Sequence, residues 1–569
     1  MEIFKINYYI GFLFLTILLL LTGCSDFLEP YEVTGKYDAQ IVWNNPEMAE
    51  GVLLKAYDIL PTNYLMPSEF GADDAVTNNL THTIINVATG GWSSRNNPLS
   101  NYTTWYSALI QVNIFLENVD QVKWSSSEIK KNLFRDRLKG EAYGLRAYLG
   151  YLLLQEVGGK SETGELLGYP IVTSSTLDTE SAKLPRNTYA DCVAQIFDDC
   201  NKANELLPLR WTDEGLNSEE KETKGARYHN RINGITTKLI KARVALTAAS
   251  DAFKESGITM QETAELAAEI IALNGFDKMD AKDVQFYLQA RTSNLSYFDD
   301  NSEVFWYSTI VPQKNAWESD YYPPSLNGKG LVSPSQNLVD AFGDKTGNPM
   351  SVSTLYDPAN PYQNRDPRLD KYIFHNNSKT DKNIILNLKN GDKDPVGKTI
   401  YSTRTGYYMR KLLDGNVVLP PTTGVVSTPH YYVYARFTEA LLIFAEAANQ
   451  VVGPDGSIGG FTARDIINRI RTRAGITSTN YVDGLDATDL ASLIRNERRI
   501  ELCFEGFRFW DLRRWSDLTT MNETVRGLDL QTLTSFDVEQ RNYEPYMIYG
   551  PIPYSETLKY NIIQNRGWD

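Results

Sequence analysis

Arg495–Trp515, RNERRIELCFEGFRFWDLRRW, holds six Arg, three Glu and one Asp among Ile500, Leu502, Phe504, Phe507, Phe509, Trp510, Leu512 and Trp515. Charges of both signs recur at helical spacing, so Glu501 can pair with Arg498, Glu505 with Arg508, and Asp511 with Arg508 or Arg514. The aromatic density is too high for a freely solvated helix. Leu490–Glu505 therefore reads as a helix pressed against the body, broken or capped at Gly506, with a second short segment from Phe507. Guanidinium groups held beside so many rings are partly desolvated and need carboxylate partners. An arginine cluster gripping an anionic ligand is the competing reading. Six cations against four anions leave little surplus for such a ligand, so an internally neutralised, half-buried ion-pair network is the better account.

Helical periodicity surrounds this block. Pro46–Leu60, Tyr102–Val119, Glu128–Val157, Thr188–Leu207, Asn230–Phe253, Thr263–Ala272, Tyr431–Val451 and Thr462–Ala474 place apolar residues three and four apart. Glu141–Val157 and Gly234–Phe253 mix small with large residues, as close-packed helix hairpins require. Asp280–Ser427 breaks the rhythm. It is rich in Tyr, Trp, Pro, Asn and Gly and reads as long excursions with a few short strands, mounted on a helical body.

The chain has 569 residues, 42% hydrophobic and 22% charged, which is a globular composition. A net charge of −15 offers no basic patch to displace phosphate counterions, so nucleic acid is excluded as a partner. An acidic surface carrying many of the 34 Tyr suits neutral ligands better than anionic ones. Ile10–Leu21 is an apolar run too short to span a bilayer comfortably and fits the h-region of a signal peptide. The following Leu21-Thr22-Gly23-Cys24 resembles the lipobox of bacterial lipoproteins, with cleavage before Cys24 and acylation of it. Ser25-Asp26-Phe27-Leu28-Glu29 resembles the acidic export tag of surface-exposed Bacteroidetes lipoproteins. Cys192 and Cys200 fall in one predicted helix, where eight residues rise about 12 Å, so they cannot form a disulfide.

Gly391–Thr399, GDKDPVGKT, has five residues between its glycines where a phosphate loop needs four; it reads as a turn. His82, His229, His375 and His430 are scattered, and neither a metal site nor a nucleophilic triad assembles from the sequence. No metal and no cofactor are expected. Sugars present a flat C–H face and a rim of hydroxyls, so a sugar site needs exposed rings and neighbouring polar groups. Two stretches supply both. Asp73, Asp74, Trp92, Arg95, Asn96, Asn101 and Trp105 form the first; Trp306, Tyr307, Gln313, Trp317, Glu318, Asp320, Tyr321 and Tyr322 form the second. Trp92, Trp317, Tyr321 and Tyr322 lie among Gly, Pro, Ser and Asn and are expected to be exposed. Trp105 and Trp306 sit in more apolar company and suit a core.

The pattern R-x-E-R-x-x-E-L-x-x-E-G-x-R-x-x-D-L-x-R-W resembles the C-terminal signature of the SusD/RagB family of Bacteroidetes nutrient-uptake lipoproteins. Before it stand ARFTEALLIFAEAAN and FTARDIINRIRTRAGI, and after it a PIP…E…N…QN-GW tail, in the family's order. The resemblance implies a mainly α fold with tetratricopeptide-like helix pairs and a loop-rich excursion region. It implies residues 1–23 as a signal peptide and 24–569 as one SusD-like domain, comprising 24–279, 280–430 and 431–569. It also implies an outer-membrane lipoprotein over a SusC-like TonB-dependent transporter, binding an oligosaccharide or another nutrient, such as a peptide, without cleaving it. A glycan-cleaving enzyme and a subunit that only gates its transporter are the alternatives from other classes. The family's ligand contacts differ between members, so the candidate residues above rest on composition alone.

Overall fold

The computed structural model describes residues 40–62, 67–175, 184–279, 284–288, 302–420, 424–559 and 562–568; the leader and Cys24 lie outside them. Asn45 starts helix α1 (Pro46–Asp58), its side chain accepting from the Glu47 and Met48 N–H groups, with Pro46 in the first turn where no donor is needed. There follow α2 (Tyr102–Asn118), α3 (Glu128–Val157), α4 (Tyr189–Leu206), α5 (Gly234–Ala249) and α6 (Met260–Asn274). Ser127, Thr188, Asn233 and Thr259 cap α3 to α6, each accepting the backbone N–H three residues on. Each helix packs on the next, from α1 on α2 through α5 on α6. Small residues permit that approach: a Cβ at Gly144 would lie 2.9 Å from Ile232, and one at Gly150 would lie 2.5 Å from the Tyr169 hydroxyl.

Helix α7 (Phe437–Val452) packs on α5 and α6 and also carries α8 (Ala463–Ala474) and α9 (Ala487–Leu502); α10 (Arg508–Arg514) follows. The helix expected from Tyr431 begins only at Phe437. Val433–Arg436 is instead a strand paired antiparallel with Val304–Tyr307, as the β-branched and aromatic run Tyr431–Tyr434 favours. Other short antiparallel pairs stitch the excursion to the body: Ala75–Thr77 with Val332–Pro334, and Val311–Lys314 with Thr428–His430. The fold is mainly α with a few short strands, as the sequence implies, and one buried cluster runs from Ala49 to Trp568.

The Arg-rich block is a buried ion-pair network, but its partners differ from those expected. Only Asp511 with Arg514 matches, at 2.8 Å, and Asp511 also holds Arg498 at 2.8 Å. Glu501 pairs with Arg368 at 2.8 Å and Arg473 at 2.5 Å rather than with Arg498. Glu505 pairs with Lys411 at 2.7 Å and Arg436 at 2.8 Å rather than with Arg508. Glu497 holds Arg368 and Arg471. The carboxylates of α9 and its end thus neutralise cations from four distant segments, sharing Arg368 with Asp366 and Arg436 and Arg473 with Glu303, because a buried guanidinium needs acids on more than one side. Arg514 takes Glu446 from α7, and Arg513 donates to the Ile548 carbonyl while lying against the rings of Phe509 and Trp510.

Burial opposes the charge on Glu501, yet Arg473, Arg368 and Arg436 hold it down at about 2. Its contribution to stability is therefore complete above about 4.5 and is lost as pH falls through about 2. Glu501→Ala leaves Arg368 and Arg473 without this carboxylate and is expected to cost about 3–5 kcal/mol near neutral pH. Chemical denaturation checks this, and an unchanged midpoint with an unchanged slope would remove the structural role of the network.

Candidate functional site

The excursion folds a cleft of about 590 Å³, within the roughly 300–1,000 Å³ of ligand pockets. Its first wall is residues 359–363. The Asp357 carboxylate accepts from the Ala359 N–H and the Asn360 side chain, which fixes the turn. Arg365, buried, donates to the carbonyls of Pro361, Val339 and Phe342 and ties the wall to the body. The second wall follows the short helix Pro367–Tyr372, capped by Asp366, which runs into the strand Ile373–Phe374 paired with Tyr408–Met409. The chain then turns sharply at His375–Ser378, where the Ser378 hydroxyl accepts from the His375 N–H and Asn377 takes φ +68°. Leu530 and Leu533, at the turn between strands Val525–Asp529 and Thr534–Glu539, form the far side.

Tyr362 is half-buried and its ring stacks on His375, centroids 4.0 Å apart and planes 17° from parallel. Both nitrogens of His375 face acceptors, Nδ1 the Asn376 carbonyl at 3.0 Å and Nε2 the Asp370 carboxylate at 2.6 Å. The His375 hydrogen bond holds the Asp370 carboxyl below its usual range. Asn376 accepts the N–H groups of Leu388 and Lys389 through Oδ1, which leaves its Nδ2 as a donor for the cleft. A ring fixed by stacking and a rim of amides, hydroxyl and ammonium groups suit a sugar's face and edge. Among the described residues no three His, Cys, Asp or Glu side chains are placed to hold a metal ion.

The residues nominated from the sequence lie elsewhere, and most are buried. Asp73 and Asp74 belong to the ion-pair network: Arg499 reaches both at 2.7 and 2.6 Å, and Arg508 reaches Asp73 at 2.8 Å. They neutralise Arg499 and Arg508, two cations that the block's own acids do not pair, and both carboxylates are buried. Trp92 donates to Asn97 Oδ1 and packs edge-on against Trp568, fastening the C-terminal tail. Trp306 packs between Tyr148 and Tyr434, a core position as its apolar company suggested. Trp317 meets His430 edge-on beneath Lys314, Tyr321 is 1% exposed, and the Tyr322 hydroxyl donates to the Asp414 carbonyl. The expected exposure of Trp92, Trp317, Tyr321 and Tyr322 is overturned. Gly, Pro, Ser and Asn nearby mark turns, and partners remote in sequence cover the rings. Arg95, Asn96 and Asn101 do reach the surface, with the Arg95 guanidinium 3.9 Å over Tyr554, but none of them lines the cleft. The residues that do, such as Tyr362, Gln363, His375, Asn376 and Asn377, carried a readable signal: a ring beside amides in Asn360–Asn364 and a second amide pair after His375.

The fold is a helical scaffold bearing a loop-built cleft, and among the described residues no helix is long and apolar enough to cross a membrane. The chain belongs to the SusD-like family. Residues 293–568 match the model described as SusD family, and residues 36–229 match a SusD-like model described as starch-binding associating with outer membrane. SusD-like protein P38 of Formosa agariphila is 24% identical over 552 residues, spanning 93% of this chain and 95% of the relative. A SusD-like protein from Bacteroides fragilis superposes with a TM-score of 0.73 at 21% identity, over 93% of this chain and 98% of its own. A SusD-like carbohydrate binding protein from the same species gives 0.70 at 20%, over 91% and 99%.

Glu69, beside the network's Asp74, is a buried acid with a strongly raised pKa. Burial lifts it to about 8 although the Gly506 N–H donates to it, and its second oxygen has no partner. The folded chain thus keeps a proton on Glu69 that the unfolded chain releases near its ordinary value of 4.5. That contribution is complete below about 4.5 and is lost as pH rises through about 8. Glu69→Gln preserves the acceptor and is expected to flatten the fall in stability between pH 5 and 8. Denaturation midpoints of the two proteins that fall in parallel across this window would contradict the assignment.

Proposed function

We propose that this protein is a lipid-anchored, surface-exposed outer-membrane protein, one SusD-like unit over residues 24–569. It captures an oligosaccharide and passes it to a SusC-like TonB-dependent transporter. The lipobox-like Leu21–Cys24 and the acidic Ser25–Glu29 support the anchor and the orientation. The family description and the carbohydrate-binding neighbour support a glycan. The observation that carries the reading is the cleft, with its Tyr362–His375 stack and amide rim.

The protein binds and releases the glycan without cleaving it. A glycosidase needs two carboxyl groups across the bond, one of them protonated at working pH. Asp370 is the one carboxylate among the described residues lining the cleft, and His375 keeps it in its ionised form. Mature protein beginning after Cys24 is expected to be retarded in native gels containing its cognate polysaccharide, with no new reducing ends after prolonged incubation. Tyr362→Ala should weaken binding roughly tenfold, the effect of losing about 1.4 kcal/mol of stacking. Retardation by no polysaccharide, together with binding of peptides, would replace this reading with a peptide carrier. Release of reducing ends would make the protein an enzyme.

A further inference from the structure

Two ammonium groups of the cleft have no carboxylate among the described residues. Lys379 is exposed and Lys389 half-buried, both line the cleft, and neither forms an ion pair or side-chain hydrogen bond among the described residues. The acids near them are already engaged. Asp370 is bound to His375, Asp381 pairs with Arg410 at 2.9 Å, and Asp357 accepts from Ala359 and Asn360. Arg410, the third cation of the lining, also donates to the Asp370 carbonyl. The local balance is therefore positive, in a chain whose 71 Asp and Glu outnumber its 56 Lys and Arg.

On the reading that this cleft binds a glycan, we propose that its ligand is an anionic one, bearing uronate carboxylates or sulfate esters that pair with Lys379 and Lys389. The acidity of the whole surface favoured neutral ligands, but charges more than about 8 Å away are largely screened at physiological salt. Within the cleft the two ammonium groups dominate. Lys389 is held in place on both sides: its N–H donates to Asn376 Oδ1, and its carbonyl accepts from Gln531 Nε2 at 3.1 Å. The ammonium is thereby carried at the junction of the His375 turn and the 525–539 hairpin. An anionic group seated there leaves the sugar face to Tyr362 and the hydroxyls to Asn376, Asn377 and Gln363.

The test compares matched ligands on the mature protein in affinity gels and by calorimetry. A polyuronate runs beside its carboxyl-reduced form, and a sulfated galactan beside its desulfated form. Each is measured with the wild type, with Lys379→Gln/Lys389→Gln and with Lys379→Arg/Lys389→Arg. Because neither lysine has a side-chain partner among the described residues, the double Gln variant should melt like the wild type. The expected result is binding of one anionic member at least tenfold tighter than its neutral counterpart, weakened by raised salt, lost in the Gln variant and kept in the Arg variant. Which pair responds distinguishes carboxylate from sulfate. Equal or tighter binding of the neutral members would overturn the anionic preference and leave glycan capture standing. Anionic binding that survives in the Gln variant would remove it from this cleft. Binding of none of the four, nor of any neutral polysaccharide, would overturn the capture reading itself.

Discussion

A guanidinium buried without a carboxylate costs several kcal/mol, and this fold buries Arg368, Arg436, Arg473, Arg498 and Arg514 to within a few per cent of full enclosure. Each is answered by an acid on a different segment, and α9 with its C-terminal end supplies three of them, Glu497, Glu501 and Glu505. The network is complete only when residues 73–74, 366–368, 411, 436 and 471–473 are all docked. Docking any one of them lowers the cost of burying the others, so the helical body and the excursion stand or fall together. Lys411 shows how far the demand extends: fully buried, it donates to two backbone carbonyls and to Glu505.

The same network sets the geometry of the cleft. Asp366 both caps the short helix Pro367–Tyr372 and pairs with Arg368, which reaches Glu497 and Glu501. The strand Ile373–Phe374 and the His375 turn follow directly from that helix, so the second wall of the cleft is fastened to α9. The first wall is held by Arg365 through three carbonyls. A loop-built site is thus presented on a rigid base, which reduces the ordering cost of binding. It also separates two roles for charge. Arginines paired within the body carry the architecture, while Lys379 and Lys389 at the cleft pair with no acid among the described residues.

Much of the fold was legible because helix signals are local. Ser127, Thr188 and Asn233 stand where caps are needed, and α3 falls at the limits its periodicity sets. The start of α7 was not legible in the same way. Tyr431–Arg436 fits either period, and pairing with Val304–Tyr307 decides for a strand. The candidate site is hidden from the sequence for a related reason. The sequence neighbours of Trp92 and Trp317 suggest exposure, whereas their burial depends on Trp568 and His430, hundreds of residues away for one of them and over a hundred for the other. Tyr362 and His375 lie thirteen residues apart in sequence and meet only through the helix and strand between them.

The sequence by itself determined the helices, the presence of a buried charge network and membership in a family recognisable by its Arg-rich signature, because these rest on spacing and composition within short stretches. It also supplied the lipobox-like motif that the described structure does not reach. Tertiary structure alone decided which carboxylate answers which arginine, which aromatic rings are covered, and where amides and unpaired lysines converge into a cleft. Those outcomes depend on contacts between segments far apart in the chain, and a residue's own neighbours carry no record of what is packed against it.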